Sequence, residues 1–105
     1  LFYVIPFLFK QYHNNSLYIC GVALGKLGRF DDAIASYDKA LEIKPDDPSV
    51  YYNKACAYAL QNKIQLAIEN LQQAINLDVK YKDMAKTNTD FDSIRDNEQF
   101  QELLQ

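Results

Sequence analysis

The chain of 105 residues has no tryptophan, one histidine, one methionine, two cysteines and three glycines. These scarcities remove whole classes of chemistry. The lone His13 stands in a polar linker beside Asn14 and Asn15 and reads as an ordinary surface residue. No serine lies in a Gly-x-Ser-x-Gly elbow, and no Cys–His pairing is indicated. Cys20 and Cys56 stand apart without neighbouring histidine or acid ligands, so no metal is expected. They fall on helical stretches, where two thiols are expected to stay reduced in a cytoplasmic protein, although a bridge between them is conceivable. Gly21, Gly25 and Gly28 follow at steps of 4 and 3 residues on or beside a helix, unlike a loop that cradles phosphate. No catalysis and no cofactor are expected. Basic residues are outnumbered, with a net charge of −3, so nucleic-acid binding finds no support. No apolar run approaches the ~20 residues that a bilayer span requires.

What the chain does have is a period. Thirty-four residues separate Ala33 from Ala67, Ile34 from Ile68, Ala40 from Ala74, Tyr18 from Tyr52 and Ala23 from Ala57. Blocks 14–47 and 48–81 align without a gap, which marks two copies of one supersecondary unit. Chains built this way usually present a surface to partners.

Each block reads as two helices joined by a tight turn. Leu17, Cys20, Gly21 and Leu24 recur at helical spacing in the first. Gly28 supplies the left-handed residue that ends this helix, and Asp31 and Asp32 suit the positive end of the next. Ala33, Ile34, Tyr37, Ala40 and Leu41 make the second helix's buried stripe. Asp47 followed by Pro48 is an N-cap and first-turn proline for the second block. That block repeats the plan, with Tyr51, Lys54, Ala55 and Tyr58 on its first helix and Ala67, Ile68, Leu71, Ala74 and Ile75 on its second. Asn62 takes the place of Gly28. Small residues at Gly21 and Ala55, Ala33 and Ala67, and Ala40 and Ala74 are expected to let helix backbones approach, with Tyr37, Tyr51, Tyr58 and Phe30 filling wider gaps.

The stretches Leu24–Ile34 and Tyr37–Pro45 resemble the most typical segments of the tetratricopeptide repeat family. The resemblance covers 14–81, with Leu17 and Tyr51 where the family often has tryptophan, Lys54 in place of leucine and Val79 in place of the closing proline. It implies an all-α, right-handed α-solenoid of two repeats, non-enzymatic, serving as a protein–protein interaction scaffold. It also implies that the first helix of each repeat lines a concave face, with Tyr18, Ile19, Val22 and Lys26 exposed there from one block and Tyr52, Asn53, Cys56, Ala59 and Leu60 from the other. Such a face suits a partner peptide or helix, or is covered from within by the N-terminal strip. Family members that grip the carboxyl end of chaperones use Lys and Asn in the first repeat, Asn in the second, and Lys and Arg in a third. Only Asn53 matches, so that function is not expected.

The ends differ from the repeats. Residues 82–105 carry three basic and six acidic side chains and read as a solvated cap or as a site for a basic partner. Asp90–Arg95 forms a short helical turn in this reading, and Asp96–Gln99 opens a last helix with a capping-box arrangement, Phe100, Leu103 and Leu104 giving its apolar side. The segment Thr89–Arg95 with Phe100 resembles the motif that closes many bacterial tetratricopeptide arrays. Residues 1–13 begin with an almost wholly apolar strip, Leu1–Phe9, lacking an initiating Met and the basic start of a signal peptide. The chain is thus expected to be an excised piece of a longer protein. The strip reads as the remnant of a preceding helix, the end of a membrane segment, or a self-associating patch, which makes a spacer or homo-oligomerising role the alternative function. Pro6 speaks against a continuous helix through it.

Overall fold

The computed structural model describes the backbone from Val4 to Gln105 and the side chains from Asn15 onward. Among the described residues six α-helices follow one another, α1 (Val4–Lys26), α2 (Phe30–Ile43), α3 (Pro48–Leu60), α4 (Ile64–Leu77), α5 (Lys80–Thr87) and α6 (Glu98–Leu103), with a 3-10 segment (Thr89–Ile94) between the last two. The described residues contain no strand, so the fold is all-α. The chain divides into two compact units, Leu1–Asp46 and Asp47–Gln105.

The 34-residue period reappears in the element ends. α1 and α3 stop 34 residues apart, and α2 and α4 both begin and end at that interval. The cause lies in the turns. Gly28 has φ +77° and Asn62 has φ +59°, the left-handed conformation that glycine adopts freely and asparagine tolerates. Around Gly28, the Arg29 amide donates to the Leu24 carbonyl and the Gly28 amide to the Gly25 carbonyl. Around Asn62, the Lys63 amide donates to Tyr58 and the Asn62 amide to Ala59. Both are Schellman closures, which satisfy carbonyls that a helix end leaves open and reverse the chain within three residues.

In the first unit α1 and α2 pack as a hairpin. α2 buries Ala33, Ile34, Tyr37 and Ala40, at i, i+1, i+4 and i+7, while Leu41 is half-buried. Gly21 is buried for a reason other than the expected backbone approach: a Cβ there would lie 2.7 Å from Cδ1 of Tyr37 and closer still to Cε1. The glycine makes room for a tyrosine ring. Asp31 and Asp32 stand in the first turn of α2, and Arg29 pairs with Asp32 at 2.7 Å in solvent, which adds at most about 1 kcal/mol.

Two expectations for the amino end change. α1 starts at Val4, so Pro6 is its third residue and lies in the first turn, where an N–H has no intrahelical acceptor to lose. Residues 4–13, His13 included, belong to this helix and not to a linker. Whether residues 1–13 cover the first repeat or self-associate concerns side chains outside the described residues. Among those described, no helix is long and apolar enough to cross a membrane.

In the second unit Asp47 caps α3, its carboxylate accepting from the Ser49 amide at 3.1 Å and the Ser49 hydroxyl at 2.6 Å, with Pro48 following. α4 buries Ala67, Leu71 and Ala74 against the hairpin, and Ile68 and Ile75 pack beside them. The heart of the core comes from the carboxyl-terminal elements: Phe91, Ile94 and Phe100 are fully buried, together with Leu71 of α4. Each contributes about 1.5–3 kcal/mol of apolar burial. Arg95 binds this end together, donating to the Lys86 carbonyl at 2.9 Å, the Asn88 carbonyl at 2.7 Å and the Asp92 carboxylate at 3.0 Å, with its guanidinium 5.9 Å from the Phe100 ring centre. A cation at the last carbonyls of α5 suits the negative end of that helix. The capping box expected from Asp96 and Gln99 does not form. Asn97 is the N-cap of α6, accepting from the Phe100 amide at 3.1 Å, which puts phenylalanine and not glutamine at the third helical position.

Candidate functional site

The residues expected on the partner-binding face fall into two groups, and the two units treat them differently. On α1, Tyr18 and Val22 are half-buried, Ile19 is 65% exposed, and Lys26 is exposed. The Tyr18 ring leans on Tyr37 with 6.3 Å between centres, so α2 holds it in place. Leu27, just after the end of the same helix, is 73% exposed.

On α3 the corresponding face is closed. Tyr52 is 5% exposed, Cys56 6% and Ala59 0%, so the expectation that these three face solvent is corrected. The cause is the segment after α5, which turns back over α3. The Asn88 side-chain amide donates to the Tyr52 hydroxyl at 2.9 Å and to Cys56 Sγ at 3.6 Å. Phe91 meets Tyr52 edge-on at 5.8 Å, the Tyr81 ring lies tilted against Tyr52 at 4.9 Å, and the Ser93 hydroxyl donates to the Ala59 carbonyl at 3.0 Å. Asn88 also accepts from the Asp90 amide at 2.9 Å, which starts the 3-10 segment. Asn53 is half-buried, its amide donating to the Ser49 carbonyl at 2.8 Å, and Leu60 is 47% exposed.

The closed face alters the acidity of what lies under it. Burial pushes the Tyr52 hydroxyl up to about 12, with the Asn88 hydrogen bond pulling the other way. Burial also pushes the Cys56 thiol well above the usual thiol range, and the nearby Asp90 carboxylate adds to the rise. A buried thiol held protonated is inert, which suits packing and not nucleophilic chemistry. Cys20 and Cys56 are both free, the first exposed and the second buried. Among the described residues no group of three or more His, Cys, Asp or Glu could hold a metal ion.

The covering residues Asn88, Phe91 and Ser93 were not foreseen on this face. From the sequence these residues read as an end cap, and the structure lays them on α3, the first helix of the last repeat. The residue types held a partial signal: Phe91, Ile94 and Phe100, after the second block, are large apolar side chains that need a surface to cover.

Helical hairpins closed by left-handed turns at a fixed 34-residue interval define an α-helical repeat protein. Family models agree on which kind: one described as TPR repeat matches residues 21–62, and one described as Tetratricopeptide repeat matches 48–81. Together they span more than half of the chain, which belongs to the tetratricopeptide repeat family. Among similar proteins, Tetratricopeptide repeat protein 36 of Caenorhabditis elegans is 49% identical over 57 residues, covering 54% of this chain and 32% of the relative. The Mus musculus protein of that name is 32% identical over 65 residues, 62% of this chain and 35% of the relative. TPR repeat-containing thioredoxin TTL4 of Arabidopsis thaliana is 28% identical over 61 residues, 58% of this chain and 9% of the relative. The match to the two proteins named Tetratricopeptide repeat protein 36 thus spans about a third of their length. Repeats of this family are generally protein–protein interaction modules, and their fold alone names no partner.

Proposed function

We propose that the chain is a scaffold or adaptor module that takes a peptide or helix of a partner protein on the faces of its first helices. The carrying observation is the state of α1. Its residues at the register of the covered α3 face, Tyr18 and Val22, are half-exposed and flanked by exposed Ile19 and Lys26. A fixed aromatic and an aliphatic surface supply contact area with little entropy to lose, and the cation adds a charge. On α3, Asn53 and Leu60 remain at the edge for the same purpose. No catalytic step belongs to this reading, and the module is taken to work in the cytoplasm, where two free thiols stay reduced.

The test is affinity capture from the source cells with the intact chain and an Ile19→Glu, Val22→Glu version whose helicity matches it. A partner retained by the first and lost by the second supports the module. Equal capture removes α1 from the site. A second reading, self-association through α1, is supported by the exposed Ile19 on that helix and the exposed Leu27 just after it. Sedimentation across a range of concentrations separates the two, since a binding module stays monomeric and a self-associating one does not.

A further inference from the structure

We infer that the α1 face formed by Tyr18, Val22 and Gly25 accepts a short acidic segment of a partner in a 3-10 turn, with an aromatic ring as its anchor. The inference rests on the interaction-module reading and adds the chemistry of the ligand. Its basis is that the second unit displays a ligand of this kind on the equivalent face. Subtracting the 34-residue period carries Tyr52, Cys56 and Ala59 onto Tyr18, Val22 and Gly25. The occupant of the α3 face is the run Asn88–Ile94, whose amide reaches the tyrosine hydroxyl, whose Phe91 ring meets the tyrosine ring, and whose Ser93 hydroxyl reaches the Ala59 carbonyl.

Two of the three receiving features, the tyrosine and the turn carbonyl, have counterparts on α1. The Ala59 carbonyl accepts both the Asn62 amide, as part of the Schellman turn, and the Ser93 hydroxyl. The Gly25 carbonyl accepts the Gly28 amide at 3.0 Å in the same turn geometry, and a carbonyl oxygen has a second lone pair for a hydroxyl. Gly25 also leaves space, since a Cβ there would meet nothing within 4 Å. The differences predict how the ligand departs from the cap. Val22 replaces Cys56 and accepts no hydrogen bond, so the amide matters less and the ring more. Lys26 replaces Leu60 and is exposed, which favours carboxylates such as those of Asp90 and Asp92 that flank Phe91.

The experiment uses a fluorescent peptide with the sequence of residues 87–96, titrated with the intact chain and followed by anisotropy. Saturable binding is expected, weakened about tenfold or more by Phe91→Ala in the peptide or by Gly25→Leu in the chain, which fills the open space. Lys26→Glu, at an exposed position, is expected to weaken it about threefold to fivefold, more at low salt. Should Gly25→Leu lose helicity, Lys26→Glu decides in its place. Absence of binding overturns the inference, and so does binding indifferent to both chain variants, which means that the peptide has exchanged onto α3. A partner captured through Ile19 and Val22 that the peptide does not displace overturns this ligand class and leaves the module reading standing.

Discussion

Replacing Asn88 by alanine isolates what the covering segment contributes to the second unit. The side chain makes three polar contacts: to the Tyr52 hydroxyl at 2.9 Å, to Cys56 Sγ at 3.6 Å, and from the Asp90 amide at 2.9 Å. The last is a cap bond, whose loss costs about 1 kcal/mol. The first leaves the buried Tyr52 hydroxyl without this donor, a further cost of about 1–3 kcal/mol, while the long sulfur contact adds little. The expected loss is therefore about 2–4 kcal/mol, or roughly 10–20 °C in Tm for a domain of this size. Urea denaturation followed by far-ultraviolet circular dichroism measures it, with an unchanged m-value showing that the same surface unfolds. In a Tyr52→Phe background the hydroxyl is gone, so Asn88→Ala should cost only the cap bond, giving a coupling of about 1–3 kcal/mol. A loss below about 0.5 kcal/mol, or equal losses in both backgrounds, would refute the view that Asn88 latches the segment to α3.

Gly21→Ala forces a methyl group into the buried Tyr37 ring, and overpacking of about 1–3 kcal/mol should outweigh the roughly 1 kcal/mol gained in helix propensity; a more stable variant in the same denaturation assay would show that Tyr37 yields freely. Gly28→Ala should cost about 1 kcal/mol because its φ is positive, whereas Asn62→Gly, at the equivalent turn, should be neutral or stabilising by a few tenths of a kcal/mol. A thiol reagent should label Cys20 at once and Cys56 only as the second unit opens, so mass spectrometry that finds both modified at equal rates contradicts a closed α3 face. Tyr52 and Cys56 both hold their protons more tightly when folded, so the folded chain binds more protons than the unfolded one at high pH. Stability should then fall as pH rises above the ordinary thiol and phenol ranges, levelling only beyond about 12 for Tyr52. Tyr52→Phe should remove the late step from the ultraviolet titration of tyrosine ionisation.

The repeats could be read from the sequence because their determinants are local. A left-handed residue, an N-cap and an i, i+3, i+4 apolar stripe are set by residues within one or two turns of each other, so Gly28, Asn62, Asp47 and the stripe Ala33–Ala40 carry their own structural meaning. The site was less legible. Tyr18 and Tyr52 share a register and a side chain, and nothing local distinguishes them, yet one is half-exposed and the other is core. The capping box failed for a related reason. Asp96 and Asn97 both qualify as N-caps by type, and the burial of Phe100 selected the register in which Asn97 receives its amide.

By itself, the sequence determined an all-α chain of two 34-residue helical hairpins, their turns, their buried stripes and their membership of a repeat family, since each follows from spacing along the chain. Only the tertiary structure decided which of two equivalent faces is available. That outcome depends on contacts 32–36 residues apart, Asn88 to Tyr52 and Cys56 and Ser93 to Ala59, which form because Phe91 and Phe100 bury their rings only by folding the segment back over α3. Hydrophobic burial is non-directional, so its strength is visible in the residue types while its destination is not.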